Sequence, residues 1–254
     1  MKKGTKKIKR PKTKDLIQRL FTNQCPIGQH WVKTHSMKIP PSNKNPLGGV
    51  TTRLAHCSRN PASRGYLTPS VINELSKLLT GKSKKLPCPL SLEFKDGSQY
   101  DESIANWVHH WNSTFNPNEP LDPDFVKALI ASESSFNHNK LADPKNQKSA
   151  RGLMQITDES RKILGDEKGE LKNNYLSLTR EDLNDPNINI CAGIRWLFHK
   201  RHLASHKLGR QATWEESVAE YKGLSKGLKS GDKRAMELMN RFKNYQNQLK
   251  SCKK

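Results

Sequence analysis

The sequence lacks a long apolar run. Apolar residues make up 33% of its 254 residues, and no stretch approaches the roughly 20 apolar residues that a membrane-spanning helix needs. Its first residues, 1–11, are basic but lead into no apolar segment, which argues against a secretory signal. We therefore expect a protein without a transmembrane segment, made in the cytoplasm, that reaches any target outside the cell after release or by a non-classical route.

Acidic side chains are scarce at the front of the chain. Residues 1–92 hold 19 Lys and Arg but only two acids, Asp15 and Glu74, whereas residues 93–254 hold 26 against 22. Such an excess predicts an anionic partner for the front, either nucleic acid or an anionic polymer of the cell envelope. A solvated, disordered basic tail would give the same count.

The low apolar fraction also argues against one compact body of this length. We predict a basic disordered arm over residues 1–24 and a small irregular basic module over 25–92, with short strands near 30–33 and 50–54. A mainly α domain is predicted over 93–254, because apolar residues recur there at helical spacing.

The five cysteines are odd in number and scattered, so they indicate no disulfide framework. Cys191 falls among apolar residues and is predicted to be a small core residue. A zinc site is a weak prediction for the front module, with these candidate ligands: Cys25, His30, His35, His56 and Cys57. Their spacing matches no common zinc finger, and packing or solvation of these side chains is the simpler interpretation.

One helix is defined more sharply than the others. Asp122 can cap its start, and Phe125, Leu129 and Glu133 then fall four apart on one face. A carboxylic acid is thus placed along an apolar face, where burial is expected to raise the pKa of Glu133 and to allow it to donate a proton. The alternative is a structural ion pair between Glu133 and Arg151.

Four motifs in order resemble the soluble lytic transglycosylase family, which has a goose-lysozyme-like fold. They are Glu133-Ser134-Ser135-Phe136, Ala150-Arg-Gly152-Leu153-Met154-Gln155-Ile156-Thr157, Asp185-Pro-Asn-Ile-Asn189-Ile190-Cys-Ala-Gly193-Ile-Arg-Trp196-Leu197, and Ala219-Glu-Tyr221. The resemblance covers roughly residues 101–250. It departs from the family after Tyr221, where Lys222 stands in place of the usual Asn and glycine comes one place early, at Gly223.

The resemblance implies a lysozyme-like helical domain that cleaves peptidoglycan with a single acid/base, Glu133, giving 1,6-anhydromuramoyl ends without a cofactor. It also implies that Tyr221 points its hydroxyl toward Glu133 and that Asn189 helps to order the cleft. The residues implied in substrate binding are Ser134, Gly152, Leu153, Met154, Gln155, Asn189 and Tyr221. We expect a monomer that acts at the bacterial cell wall.

Two other functions remain open at this level. A hydrolytic muramidase would need a second carboxylate, for which Asp143, Asp158 and Glu159 are candidates, although each is more simply a loop or helix-cap residue. A non-catalytic protein that binds glycan or nucleic acid is the other. The remaining helices are predicted at residues 68–81, 102–115, 158–164, 187–199, 214–221 and 232–249, and residues 82–89 are predicted to be a linker.

Overall fold

The computed structural model describes residues 29–32, 34–41, 46–54, 56–59, 66–83 and 85–253, with the backbone only at 29–32, 56–59 and 253. The chain divides into two compact units, Met1–Tyr66 and Leu67–Lys254, which we describe separately. The predicted arm at residues 1–24 lies outside the described residues. No helix in the described ranges is long and apolar enough to cross a membrane.

The described part of the first unit is built from short antiparallel strand pairs. The strands are β1 (Gln29–Val32), β2 (His35–Ile39), β3 (Gly49–Arg53) and β4 (His56–Arg59). β1 pairs with β4, and β2 pairs with β3. The strands predicted near residues 30–33 and 50–54 are confirmed as β1 and β3. Their partners β2 and β4 were missed because pairing, rather than an alternating apolar pattern, defines them.

The second unit is mainly α-helical, as predicted. Its elements are β5 (Tyr66–Leu67), α1 (Pro69–Leu79), α2 (Asp101–Phe115), α3 (Pro123–Ser134), α4 (Asp158–Leu164), β6 (Tyr175–Leu176), α5 (Pro186–Leu208), α6 (Trp214–Tyr221), α7 (Ser225–Lys229) and α8 (Lys233–Lys250). Short 3-10 turns lie at Glu181–Asn184 and Ser251–Lys253. β5 pairs with β6.

Capping residues explain where the helices begin and end. Asp185 accepts the backbone N–H of Ile188 at the start of α5, and Gly209, with φ +64°, follows its end. α5 therefore runs nine residues past the predicted end at residue 199. The prediction stopped where the apolar spacing ended, whereas hydrogen bonding continues until a residue in the left-handed conformation ends the helix.

The core forms around the middle of α5. Ile190, Cys191, Ile194 and Leu197 are fully buried, and α5 packs against α1, α2 and α6. Trp111 of α2 donates its indole N–H to the carbonyl of Cys191 at 3.1 Å. Cys191 is a buried free thiol, which confirms its predicted place in the core.

The start of the helical unit differs from the predicted boundary at residue 93. The unit begins at Leu67, because α1 buries Ile72 completely and packs on α5 and α2. The predicted linker at 82–89 is also tied down: the N–H of Cys88 donates to Asp124 at 2.6 Å, and its carbonyl accepts from Lys127 at 2.7 Å. Polar pairing fixes this stretch in spite of its linker-like composition.

A disulfide joins Cys88 to Cys252, with Cα atoms 5.9 Å apart. It links the segment before α2 to the turn that follows α8. This disulfide was not predicted from the sequence, because two cysteines 164 residues apart carry no pairing signal. Their proximity depends on the packing of α8 against α3.

Candidate active site

Glu133 lies in the last turn of α3, at the predicted position. Asp122 caps the other end of this helix, and Phe125 packs edge-on against Phe242 of α8, with ring centroids 4.9 Å apart. Only 16% of the Glu133 side chain is exposed. The helix therefore carries a mostly buried carboxylate to an opening to solvent at its last turn.

The chain turns sharply directly after Glu133. Ser135 and Phe136 both have positive φ, 54° and 61°, and Phe136 is buried next to Phe94. Ser134 is also buried and donates its hydroxyl to the carbonyl of Ile130 at 3.2 Å. Its predicted role in substrate binding is therefore not supported, because the hydroxyl satisfies the backbone of its own helix.

A tight turn at residues 152–155 forms a second part of the site. The N–H of Gln155 donates to the carbonyl of Gly152 at 3.2 Å, and Gly152 has φ +75°. A Cβ at Gly152 would lie 2.1 Å from Nδ2 of Asn189 and 2.8 Å from the carbonyl oxygen of Leu183. Position 152 thus needs glycine for its conformation and for space, which makes its role structural.

Asn189 of α5 holds this turn in place. Its Oδ1 accepts the N–H of Met154 at 2.8 Å, and its Nδ2 donates to the carbonyls of Arg151 and Leu183 at 3.1 and 2.9 Å. The side chain is fully buried. Asn189 therefore orders the turn, and its predicted contact with substrate stays a prediction.

Three side chains in the turn were predicted to contact sugar, and one of them, Gln155, remains accessible. Leu153 and Met154 are fully buried, and Met154 packs so closely on α5 that a Cβ at Gly193 would lie 2.3 Å from its sulfur. These two side chains belong to the core. Gln155 is half-buried, so it can line the opening.

Lys140 connects the turn to the end of α3. Its ammonium donates to the backbone carbonyl of Glu133 at 2.6 Å. Its own carbonyl accepts from the N–H of Gly152 at 2.9 Å and from Nε2 of Gln155 at 3.1 Å. Lys140 was not predicted from the sequence, since the loop after α3 carries no motif.

Tyr221 makes a different contact from the one implied by the resemblance. Its hydroxyl donates to the carbonyl of Met154 at 2.6 Å, so the predicted hydrogen bond to Glu133 is wrong. Burial, together with the nearby Glu133 carboxylate, raises the pKa of Tyr221 well above its usual value. The phenol therefore stays neutral and stabilises the turn through its hydrogen bond to the Met154 carbonyl.

The partner of the Glu133 carboxylate is Lys222. Its Nζ lies 2.7 Å from Oε1 of Glu133, and its side chain is only 8% exposed. The predicted alternative pairing with Arg151 is wrong, because Lys222 forms the ion pair with this carboxylate and the Arg151 guanidinium donates to the carbonyl of Gln147. The departure from the family at Lys222 was visible in the sequence and was the available signal for this contact.

The candidate second acids are used elsewhere. Asp158 is bound by Arg161 and Arg180, whose hydrogen bonds lower its pKa to about 2. Asp143 accepts a backbone N–H within its own loop, and Glu159 is exposed in the first turn of α4. Each therefore has the loop or cap character that the sequence analysis weighed against a catalytic role.

Among the described side chains, no group of three or more His, Cys, Asp or Glu lies close enough to hold a metal. Of the zinc candidates, His35 has a described side chain. His30, His56 and Cys57 are described by backbone alone, and Cys25 lies outside the described residues. The zinc site stays a prediction.

The fold and the site define a class: a mainly helical domain with one acidic side chain at the edge of a rigid turn. Residues 113–223 match the family model of the Transglycosylase SLT domain. The matched segment runs from α2 to Gly223 and includes Glu133, the turn at 152–155 and Lys222.

The chain is also similar to a solved structure, the 70 kDa soluble lytic transglycosylase SLT70 from Escherichia coli, at 15% identity and a TM-score of 0.34. That match covers 71% of this chain and 30% of the other, so the chain spans under a third of that protein's length. No curated protein matches the chain at a significant level.

Proposed function

We propose that the chain is a peptidoglycan lytic transglycosylase that cleaves the MurNAc-β-1,4-GlcNAc bond, with Glu133 as its acid and base. One observation carries the proposal: the segment that matches the SLT domain places a mostly buried carboxylate beside a rigid turn. Lys140 contacts both, through the carbonyl of Glu133 and the N–H of Gly152, and so connects the end of α3 to the turn. An acid held next to an ordered turn suits proton transfer to a bound glycan.

The reaction needs one carboxyl group used twice. Protonated Glu133 gives its proton to the glycosidic oxygen, and the bond from that oxygen to the anomeric carbon breaks. The resulting carboxylate then takes the proton of the 6-hydroxyl, whose oxygen attacks the anomeric carbon to form the 1,6-anhydro ring. Glu133 ends protonated, as it began, and no water is consumed.

A hydrolytic muramidase is the competing enzyme. It would need a second carboxylate to activate water or to form a covalent intermediate. Asp158, the candidate nearest in sequence to the turn, is held by Arg161 and Arg180. This engagement favours the single-acid reaction, since a carboxylate paired with two guanidinium groups is a weak base.

The proposed glycan contacts centre on Gln155. Its Nε2 is already bonded to the carbonyls of Gly152 and Lys140, at 2.8 and 3.1 Å. These bonds hold the amide in one orientation, which leaves Oε1 to accept a hydrogen bond from a sugar hydroxyl or acetamido group.

The test is digestion of purified sacculi by the full chain, with mass spectrometry of the products. We expect anhydro ends from the wild type and no cleavage by Glu133→Gln, which keeps size and polarity but cannot shuttle a proton. Glu159→Gln is the matched control, because Glu159 is an exposed helix residue, and it should stay within about twofold of wild type.

Each other outcome identifies an alternative. Reducing ends would establish the muramidase. A wild type that binds sacculi without cutting them would establish the non-catalytic binding protein, and cleavage by Glu133→Gln within tenfold of wild type would remove Glu133 from the mechanism.

The basic front is proposed to hold the enzyme on an anionic envelope polymer, with nucleic acid as the other candidate. Residues 1–66 contain 15 Lys and Arg against one acid, Asp15. Deleting them at the boundary before Leu67 should weaken sacculus binding and reduce its salt dependence, while cleavage of soluble glycan fragments persists. Unchanged binding and salt dependence would contradict this role. A monomeric state stays a prediction.

A further inference from the structure

Positive charge in the helical unit is concentrated in its last part. Residues 67–221 carry 20 Lys and Arg against 21 Asp and Glu, a net charge of −1. Residues 222–254 carry 10 Lys and Arg against two acids, Asp232 and Glu237, a net charge of +8. This segment therefore attracts anions, whereas the rest of the unit is close to neutral.

α8 turns one face to the core and the other to solvent. The side chains that bury it against α3 and the rest of the core are Ala235, Met239, Phe242, Gln246 and Leu249. On the opposite side, a shallow, open depression is lined at helical spacing by Lys233, Met236, Glu237, Asn240, Arg241 and Asn244. We call these six residues the α8 face.

The cations on and beside the α8 face are not used within the fold. α7 leads directly into α8, because the N–H of Asp232 donates to the carbonyl of Gly227 at 2.9 Å. Lys243 pairs with Glu215 at 3.6 Å. Among the side chains that the structure describes, these exposed cations form no ion pair: Lys226, Lys229, Lys233, Arg234, Arg241 and Lys250. They are therefore available to an anion from outside the chain.

This basic segment begins beside the candidate active site. Lys222 lies 2.7 Å from the Glu133 carboxylate, and the N–H of Leu224 donates to the carbonyl of Ala219 at 2.7 Å, where α6 ends. Lys226 follows four residues after Lys222, a span of at most about 14 Å. A glycan strand held at Glu133 is thus within reach of the first of these cations.

The composition of the α8 face favours widely spaced anions over a dense polyanion. Lys233 and Arg241 lie eight residues apart, which is about 12 Å along the helix axis. Glu237 lies midway between them and would repel phosphates spaced as closely as those of nucleic acid. The exposed amides of Asn240 and Asn244 can donate to and accept from peptide groups. A peptide with separated carboxylates suits this combination.

We propose that the α8 face binds the acidic stem peptides of a peptidoglycan strand, so that the enzyme prefers strands whose peptides carry free carboxylates. This inference rests on the proposed transglycosylase function, which by itself does not choose between peptide-bearing and bare glycan. The cations attract the carboxylates, and the amides bond the peptide groups between them. Because the cations are exposed, the preference should weaken as the salt concentration rises.

The first test compares two soluble glycan oligomers, one with free peptide carboxylates and one with the same carboxylates converted to amides. In the full chain, Lys233→Gln with Arg241→Gln should lower the ratio of kcat/KM for the acidic over the amidated oligomer about fivefold, mainly through KM. Lys168→Gln with Lys172→Gln is the matched control, because it removes two exposed lysines between α4 and β6, and it should keep the wild-type ratio.

The basic front is the same in all these proteins, so it does not affect the comparison. An unchanged ratio in the α8 double variant overturns the proposal. An equal fall in the control also overturns it, since the effect would then come from net charge and not from this face.

The second test measures binding without cleavage, by calorimetry of the acidic oligomer with the full chain carrying Glu133→Gln. Adding the two α8 substitutions should raise Kd about fivefold at low salt and by less at high salt. Duplex DNA is the competing ligand. If the substitutions weaken DNA binding but not oligomer binding, the face is a polyphosphate site and the proposal fails. If the wild type cleaves neither oligomer, the proposed function fails, while the binding result still decides the role of the α8 face.

Discussion

Two lysine–carboxylate ion pairs in the helical unit differ in how many structural segments each of them connects. Lys127 is fully buried, lies 2.8 Å from Asp101 and also donates to the carbonyl of Cys88. Lys222 lies 2.7 Å from Glu133 at the edge of the opening. The first pair fastens α2, α3 and the preceding segment together, whereas the second joins one helix end to the acid of the site.

The difference shows how burial assigns roles to similar charges. At Asp101, burial raises the pKa even though the hydrogen bond from Lys127 lowers it, so the carboxylate depends on its ammonium partner. A pair of this kind contributes little net stability while intact but destabilises the fold when one partner is removed. The pair between Lys222 and Glu133 is nearly as enclosed, but it joins one helix end to one side chain and fastens no other segment. Changes near Lys127 should therefore affect stability, and changes near Lys222 should affect activity.

The largest expected effect separates the two lysines directly. Lys127→Met should lower the free energy of unfolding by about 3–5 kcal/mol, because it leaves Asp101 without its ammonium. Lys222→Met should lower it by about 1 kcal/mol. Urea denaturation followed by helical circular dichroism measures both. Equal losses would show that the pairs do not differ in the way we describe.

Substitution of Asn189 should have the next largest effect, because this side chain contributes both to the stability of the fold and to the order of the site. Asn189→Ala should cost about 2–3 kcal/mol of stability, because it leaves the N–H of Met154 and the carbonyl of Leu183 unpaired in the core and removes one of the two donors to the carbonyl of Arg151. It should also lower turnover at least about tenfold, since the turn at 152–155 loses its support. Asn187→Ala on the same helix is the control: it breaks the bond to Trp107 but leaves the turn intact, so turnover should hold. Turnover retained in Asn189→Ala would make Asn189 purely structural.

The pH dependence of the free energy of unfolding tests how a buried ionisable group in the core affects stability. His110 is buried against Trp107 and Trp111, and burial lowers its pKa from 6.5 to about 4, with a smaller contribution from His109. The unfolded chain binds this proton more readily, so the associated stability is present above pH 6.5 and lost as the pH falls through 4.

The loss from His110 should reach about 2 kcal/mol between pH 6.5 and 5. His110→Gln should flatten the plot of unfolding free energy against pH in this range. Part of the slope should remain, because burial also lowers the pKa of His199 to about 4. An unchanged slope in His110→Gln would mean that His110 is not the titrating group.

Tyr221→Phe should have the smallest effect. It leaves the Met154 carbonyl without a donor, which should cost about 1 kcal/mol of stability. Turnover should stay within about threefold of wild type, because the phenol bonds the turn and not the acid. A tenfold or larger loss in steady-state turnover would contradict this expectation and would support the Tyr221–Glu133 hydrogen bond implied by the family resemblance.

Local signals in the sequence predicted most of the helical unit. A side-chain cap, a proline and apolar spacing gave α3 and placed Glu133 in its last turn. The end of α5 was missed because its last turns are polar, and the boundary at Leu67 was missed because residues 82–89 look like a linker. The left-handed Gly209 ends α5 locally, whereas contacts far apart in the chain settle the boundary at Leu67.

What the sequence determined by itself is the position of the acid, since caps and helical spacing act over a few residues. What the tertiary structure decided is the partner of each polar group in the site. Lys222 and Glu133 are 89 residues apart, and Asn189 lies 35 residues from Met154. Whether a phenol or an ammonium meets the carboxylate depends on where α6 ends against α3, and only packing fixes that position.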